Sequence, residues 1–423
     1  MTIGQGTRVV IQAIYFVIIA RTLGPDQYGA FVAAVALVAL VAPFASLGAG
    51  NLLVMHVARV PERFPRYWGG ALSTTLISAA LLGLGALVAG RLVLPSSIPV
   101  RLVLSVAIAD LLFARIIDIA GQAYQAHERL SRTAQFPLLI GLLRLTAAVL
   151  FATMDRANAA HWALWYAGSS AIGAAIAVGL TIRELGPPAR VLGYPLSELR
   201  QGADFATSLS AQNVYNDIDK TMLSRLSTLD ATGIYGAAYK LIDVAFVPVK
   251  SLLAAAYPRF FRAGANGIRS SLGVARRLLP LAAGYAAVAG VGLFLAAPLL
   301  PRILGPEYRT AVEATRWLAL LPLFKSIHYF AADSLTGAGY QGRRTAAQVV
   351  VAAVNVGINF PLIIHDSWRG AAWSSLASDG LLAVLLWCLV WRTCRSEDRA
   401  HRASAPAEAP SGPVPAMAVG AQS

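Results

Sequence analysis

Two ionisable side chains stand near the middle of long apolar stretches in this chain. Arg144 and Lys325 each lie in such a stretch, and no acidic residue is three or four positions away from either. Because a charged side chain inside a bilayer is costly, it usually faces protein or a water-filled cavity. We interpret both as cavity-facing cations, and the alternative is a structural pairing with a charge on another helix.

Other intramembrane charges occur in pairs with helical spacing. Residues three apart on a helix lie close enough to neutralise one another, so the pairs favour a structural role in holding a polar lining. The three pairs are Arg115–Asp118, Asp217–Lys220 and Lys240–Asp243. Asp219 and Asp333 are further acids in apolar stretches, and Lys220 could also extend to the membrane interface.

The balance of these charges indicates the chemistry of a ligand. Cations are at least as common as anions in both halves of the chain, which suits an anionic head group such as phosphate or pyrophosphate. An isolated acidic site would instead be typical of a drug or sodium exporter. The exporter alternative stays open because the chain also has intramembrane acids. These are either ion-coupling or structural groups: Asp118, Asp217, Asp219, Asp243 and Asp333.

The sequence carries no pattern for enzymatic chemistry, a metal or a cofactor. Histidines occur singly, and Cys388 and Cys394 form neither a disulfide framework nor a metal pattern. Serine and histidine show no nucleophile arrangement, and the glycine-rich runs are better explained by close helix packing. We therefore expect no catalytic residues, no metal and no cofactor.

Composition identifies the setting as a membrane. Hydrophobic residues make up 57% of the 423 positions and charged residues 13%, with a mean hydropathy of +0.61. A soluble protein of this length would need a more polar surface. The net charge of +14 comes from basic residues dispersed between apolar spans. It therefore indicates orientation in a membrane and no nucleic-acid partner.

Apolar spans of bilayer length predict an all-α integral membrane protein with twelve transmembrane helices. The predicted spans are 3–22, 30–56, 69–94, 101–124, 134–154, 160–182, 203–223, 231–257, 278–301, 313–334, 344–364 and 370–392. They give an N-terminal lobe over 1–185, a linker over 186–202 and a C-terminal lobe over 203–395. The tail, 396–423, is rich in Ala, Pro and Ser and is predicted to be disordered.

The two predicted lobes repeat each other. Tyr28-Gly29 recurs as Tyr235-Gly236, and the run from Asp118 to Gln125 is echoed by Asp333 to Gln341. With an even number of helices in each half, such a repeat is parallel, and its site is expected between the lobes.

Arginines in the loops set the predicted orientation. The loops that follow even-numbered spans, together with the C-terminal tail, carry most of the loop arginines. We term the side on which they lie the arginine-rich end. The opposite loops form the arginine-poor end. By the positive-inside rule, both termini and the arginine-rich end are cytoplasmic.

Three sets of motifs, in order along residues 1–393, resemble one family. The first is the hairpin Ala20–Gly29. The second comprises Asn216–Leu223 and Gly233–Lys240, and the third Leu304–Tyr308, Gly337–Gly339 and Asn355–Asn359. They resemble the oligosaccharide and polysaccharide (O-antigen-type) flippases of the multidrug/oligosaccharidyl-lipid/polysaccharide (MOP) exporter superfamily.

The resemblance implies a transporter that moves a polyprenyl-diphosphate-linked oligosaccharide from the inner to the outer leaflet by alternating access. It implies a bacterial inner membrane, a role in cell-surface polysaccharide synthesis, and contact with membrane lipids, a polymerase and glycosyltransferases. The positions that match the family's cavity lining are Arg115, Arg144, Lys220, Lys240 and Lys325. The alternative is a multidrug or small-molecule exporter of the same superfamily, driven by H⁺ or Na⁺.

Overall fold

A computed structural model describes residues 2–154, 157–195, 210, 213–214 and 216–404. The described residues form helices and connecting loops with no β-strand, as the prediction of an all-α protein requires. The helices divide into an N-terminal and a C-terminal group, and each group supplies one wall of a central space.

The N-terminal group starts with a helix that is broken by a glycine. Gly24 has a φ of +68° inside α1, and Pro25 follows it, so the chain turns where the sequence predicts a hairpin. A π-helical turn, Ile108–Phe113, joins α4 to α5. The helices are α1 (Thr2–Val41), α2 (Ala49–Val57), α3 (Phe64–Val93), α4 (Val100–Ala107), α5 (Ala114–Ala126), α6 (Leu130–Ala152) and α7 (Ala159–Leu185).

The C-terminal group ends in a long helix with one internal break. Ser367 has a φ of +53° within α14, which divides it between the predicted spans 344–364 and 370–392. Helix α8 is described over 216–226. The others are α9 (Leu229–Gly264), α10 (Ile268–Ala296), α11 (Leu300–Leu304), α12 (Ala311–Leu318), α13 (Leu321–Gly337) and α14 (Gln341–Ser404).

The described helices agree with a membrane protein of many crossings. Seven helical stretches are long and apolar enough to cross a bilayer. Two of them, Gly6–Val57 with 52 residues and Gln341–Arg399 with 59, have the length of two crossings. Nearly half of the seventh predicted span, 203–223, lies outside the described residues, so the count of twelve stays a prediction.

The predicted lobe boundaries also stay predictions. Only 186–195 of the predicted linker is described, and it is not helical. Helix α14 continues to Ser404, into the segment for which the sequence predicts disorder. Residues 405–423 lie outside the described residues.

The two helix groups pack directly on each other at the arginine-poor end. A Cβ atom on Gly29 of α1 would lie 1.8 Å from the Leu229 carbonyl oxygen, and one on Gly233 of α9 would lie 1.9 Å from the Pro25 carbonyl oxygen. Only glycine permits this approach of two backbones. The Tyr308 hydroxyl adds a hydrogen bond of 3.0 Å to the Ala20 carbonyl.

Hydrophobic packing between the two helix groups also differs between the two ends of the protein. One buried cluster joins both groups and contains Trp162, Tyr235 and Tyr308. A second cluster, with Phe246 and Phe260, belongs to the C-terminal group alone. A third, which includes the loop-proximal Val57 and Phe64, belongs to the N-terminal group alone. The groups are therefore joined at the arginine-poor end and separate towards the arginine-rich end.

Candidate substrate cavity

Three adjoining cavities lie between the two helix groups. Their volumes are about 220, 420 and 480 Å³. The first shares Lys240 and Asp243 with the second and Arg144 with the third, while Arg8 lines both the second and the third. We treat them as one central cavity with an inner chamber, which is the first, and a wider mouth formed by the other two.

On the N-terminal side, a cluster of three helices positions Arg144. The π-turn carries Asp110, whose Oδ1 lies 3.7 Å from Arg144 Nη2 and accepts a 2.8 Å hydrogen bond from the Tyr166 hydroxyl. The Arg144 guanidinium lies 4.2 Å above the centre of the Tyr166 ring. Arg144 lines both the inner chamber and the mouth. Arg144 therefore faces the cavity, and it also pairs with a charge on another helix, which was the alternative interpretation of this residue.

At the mouth, Arg115 and Asp118 form the predicted ion pair. Arg115 Nη1 lies 3.1 Å from Asp118 Oδ2, one turn further along α5. The Asp118 side chain is 58% exposed, so water screens this pair strongly. Arg8 of α1 lines the same space and is exposed. These residues give the cavity mouth a mixed and hydrated surface.

On the C-terminal side, Lys220 is the centre of a second cluster. Its Nζ lies 2.9 Å from Asp217 Oδ1 and 3.5 Å from Asp219 Oδ1, and 3.8 Å from the centre of the Tyr239 ring. The predicted Asp217–Lys220 pair is thus present. Lys220 and Asp217 line the inner chamber, whereas Asp219 is fully buried behind them. There it accepts hydrogen bonds from the hydroxyls of Tyr235 and Ser375.

The predicted pairing of Lys240 with Asp243 is not a direct ion pair, although the two charges lie near enough to attract each other. Asp243 Oδ1 lies 3.8 Å from Lys250 Nζ, two turns along the same face of α9, and no Lys240–Asp243 ion pair forms. The long Lys250 side chain reaches back to this carboxylate, which the three-residue spacing could not reveal. Within the part of the chain that is described, Lys240 has no ion pair within 4.0 Å. It lies where the inner chamber meets the mouth.

Lys325 and Asp333 of α13 lie away from the cavity surface. The Lys325 ammonium donates hydrogen bonds to the Tyr239 hydroxyl at 2.8 Å and to Asn216 Oδ1 at 3.2 Å, and Tyr239 separates it from the inner chamber. Asp333 pairs with Arg344 at 3.3 Å. Their predicted roles in substrate contact and coupling stay predictions.

Sequence reasoning assigned no site role to several residues that shape the cavity. Asp110, Tyr166 and Tyr239 hold or cover the cavity cations, and Arg8 lies at the mouth. Asp110 had a signal, because an acid inside an apolar span is uncommon. The tyrosines had none, since their positions depend on how separate helices pack.

The cavity offers cations on both walls and access for water from one end. Side-chain exposure rises from 9% for Lys220 in the inner chamber to 52% for Lys250 at the mouth. The described residues contain no cluster of three potential metal ligands. Such a space can compensate a polar, anionic group that leaves water, and it is closed at the arginine-poor end.

A helical bundle that encloses a charged central cavity is typical of a membrane transporter. The sequence profile of the "polysaccharide biosynthesis protein" family matches residues 1–263. The chain therefore belongs to that family, and the predicted resemblance to MOP-superfamily flippases is confirmed. Its family and its structural neighbours are transporters and flippases, not enzymes.

Solved structures share this fold at low sequence identity. An inward-facing multidrug resistance MATE family transporter of the MOP superfamily has a TM-score of 0.76 and 15% identity, covering 94% of this chain and 96% of that one. An outward-facing MATE structure has a TM-score of 0.64 and 13% identity, with 96% of each chain covered. The lipid II flippase MurJ, in an inward closed conformation, has a TM-score of 0.70 and 11% identity, covering 92% of this chain and 87% of that one. No curated protein matches the sequence.

Proposed function

We propose that this transporter flips a polyprenyl-diphosphate-linked oligosaccharide from the inner to the outer leaflet of a bacterial cytoplasmic membrane. Both termini face the cytoplasm, and the flipped glycan enters cell-surface polysaccharide synthesis, with a polymerase and glycosyltransferases as partners. The family supports a polysaccharide precursor as the cargo. The excess of arginine at one end supports the orientation.

The single observation that carries the substrate class is the placement of Lys240. This ammonium lies at the junction of chamber and mouth without a direct ion pair among the described residues, because Asp243, which lines the same junction, pairs with Lys250. A cation in that position is costly unless an anion binds beside it. A diphosphate supplies charge and several acceptor oxygens, and Arg144 and Lys220 lie along the same cavity to share it.

The cavity also suits the rest of such a substrate. A glycan needs a hydrated space, which the exposed mouth around Asp118 and Lys250 supplies. The prenyl chain stays in the lipid, where apolar surface costs nothing. Rocking of the lobes would open the Gly29–Gly233 contact and close the mouth, so that the head group is released on the other side.

Deletion of the gene provides the test. We expect a lipid-linked glycan to accumulate on the cytoplasmic leaflet and the surface polymer to be lost, as measured by the accessibility of the glycan in inside-out and right-side-out vesicles. Complementation with wild type should restore the polymer, and complementation with Lys240→Ala should not. A normal glycan distribution, combined with raised sensitivity to cationic compounds, would support the small-molecule exporter instead.

A further inference from the structure

A buried histidine–aspartate pair lies in the C-terminal lobe, outside the substrate cavity. His328 Nε2 on α13 and Asp379 Oδ1 on α14 are 2.9 Å apart, with side chains only 2% and 4% exposed. Neither lines the inner chamber or the mouth. A histidine in such a place has the side chain best suited to gain or lose a proton near neutral pH.

Polar contacts link this pair to the cavity wall by two routes. Along α13, His328 lies one turn after Lys325, whose ammonium donates to the Tyr239 hydroxyl at 2.8 Å. Along α14, Asp379 lies one turn after Ser375, whose hydroxyl donates to Asp219 at 3.0 Å. Asp219 lies 3.5 Å from Lys220, and both Lys220 and Tyr239 line the inner chamber.

The charges around the pair balance when His328 is neutral. The nearly dry groups are two carboxylates, Asp219 and Asp379, and two ammonium groups, Lys220 and Lys325. Asp333 and Arg344, also near His328, form a pair of their own at 3.3 Å. A proton on His328 would add one uncompensated positive charge to a region with little water, which is costly.

The other helices packed on α13 do not change this balance. Helix α9 presents Tyr235 and Tyr239 towards the network. The charged groups at the cavity surface nearby are two carboxylates and two ammonium groups, which balance each other: Asp217, Asp243, Lys240 and Lys250. The titratable side chains of α10 are exposed: Arg269, Arg276, Arg277 and Tyr285. An anionic group that enters the inner chamber beside Lys220 would therefore offset the positive charge of a proton on His328.

We propose that His328 and Asp379 form a proton-binding site that loads when an anionic head group enters the cavity. The proton comes from water or a buffer acid and binds an imidazole nitrogen, and it leaves when the head group leaves. Binding of the two ligands is then mutually favourable, because each lowers the electrostatic cost of the other. This inference rests on the proposed function for the identity of the anion, while the proton site itself can be measured without any substrate.

The test uses the full chain in lipid nanodiscs with ¹⁵N-labelled histidine. The His328 signals among those of six histidines are assigned by their absence in His328→Gln. A pH titration is recorded without ligand, with farnesyl diphosphate, and with farnesol as the uncharged control. We expect His328 to titrate within the pH range in which the protein stays folded, and at lower pH without ligand than with farnesyl diphosphate. At a fixed pH within this range, we expect farnesyl diphosphate, and not farnesol, to raise its protonated fraction several-fold.

Three outcomes distinguish the inference from the proposed function. A His328 signal that does not move with pH would overturn the proton site. Bound farnesyl diphosphate, seen by its own ³¹P signal, that leaves the titration of His328 unchanged would overturn the coupling and leave the function standing. Failure of farnesyl diphosphate to bind would count against the proposed function and the coupling, and the titration would still decide the proton site. Asp379→Asn is expected to abolish the ligand response, whereas His56→Gln in the other lobe should retain it.

Discussion

Arg144 and Asp110 approach each other to 3.7 Å across the wall of the N-terminal lobe, from α6 and from the π-turn before α5. Both side chains are about one-fifth exposed, at 22% and 21%. The cation is therefore partly neutralised and partly open to the cavity. An incoming anion would meet a guanidinium whose position is already fixed by the carboxylate and by the Tyr166 ring.

Removal of the Asp110 charge tests this relationship. In Asp110→Asn, the Tyr166 hydrogen bond can persist, but Arg144 loses its counter-charge. We expect the free energy of unfolding to fall by about 1–2 kcal/mol, less than for a fully buried pair because cavity water screens the charges. Thermal unfolding in detergent measures the loss. Asp118→Asn at the exposed mouth is the control, and an equal loss there would contradict the assignment.

Lys240 provides a test of binding with little effect on folding. Its ammonium has no ion pair within the described residues, so Lys240→Ala removes no native pairing. A charge-assisted hydrogen bond contributes about 1.5–3 kcal/mol, and we therefore expect the affinity for farnesyl diphosphate to fall about tenfold or more. Titration calorimetry measures this affinity. Lys250→Ala, in which a paired lysine is lost, should have a smaller effect, and Lys240→Arg should preserve most of the binding.

Arg144 and Lys325 are predicted to be needed for transport for different reasons. Arg144→Ala removes a cavity cation, and Lys325→Ala removes the donor that holds the Tyr239 hydroxyl at 2.8 Å. We expect both variants to insert in the membrane and to lose export of surface polymer. Membrane abundance and polymer are measured together in the deletion strain. Normal polymer in both variants would refute the assignment of these residues to the transport path.

The sequence was sufficient for the membrane class and the helical fold, because bilayer-length apolar spans and helix breakers such as Gly24-Pro25 act locally. Pairs within one helix, Arg115–Asp118 and Asp217–Lys220, could also be predicted from their spacing.

Contacts between helices were the part that could not be predicted. The pairing of Arg144 with Asp110 depends on how α6 packs against the π-turn, and His328 meets Asp379 only in the packed C-terminal lobe. Lys240 shows that spacing alone does not predict ion pairs even within a single helix. Its spacing to Asp243 permitted a pair, but Lys250 provides the competing contact. Spacing defines which contacts are within reach, while packing selects among them.

The close contact of Gly29 and Gly233 predicts that closure of the arginine-poor end requires both glycines. In Gly233→Ala, the new Cβ would lie 1.9 Å from the Pro25 carbonyl oxygen, so the lobes must separate there. We expect weaker transport and a larger population open at this end. A cysteine in place of the buried Thr232, with Cys388 and Cys394 replaced by serine, should react faster with an impermeant maleimide. Gly83→Ala, whose Cβ meets nothing within 4 Å, should leave the rate unchanged.

Glu397 near the end of α14 ties together two loops at the arginine-rich end. Its carboxylate accepts hydrogen bonds from the Tyr340 hydroxyl at 2.9 Å and from the Ile268 backbone N–H at 3.1 Å, at the start of α10. Partial burial, followed by the hydrogen bond to Glu397 and its negative charge, raises the pKa of Tyr340 above its usual range. The folded protein thus binds the phenolic proton more tightly than the unfolded chain does.

The sign of this shift predicts a loss of stability in alkali. A tyrosine whose pKa is raised in the folded state contributes stability that is complete below its unfolded pKa of about 10 and is lost as the pH rises through the folded value. We expect the difference in Tm between wild type and Tyr340→Phe to stay constant up to about pH 9 and to shrink as the pH rises above about 10. Glu397→Gln, which removes the neighbouring charge and keeps an acceptor, should weaken this pH dependence. A Tm difference that stays constant across the range would show that the Tyr340–Glu397 contact makes no such contribution.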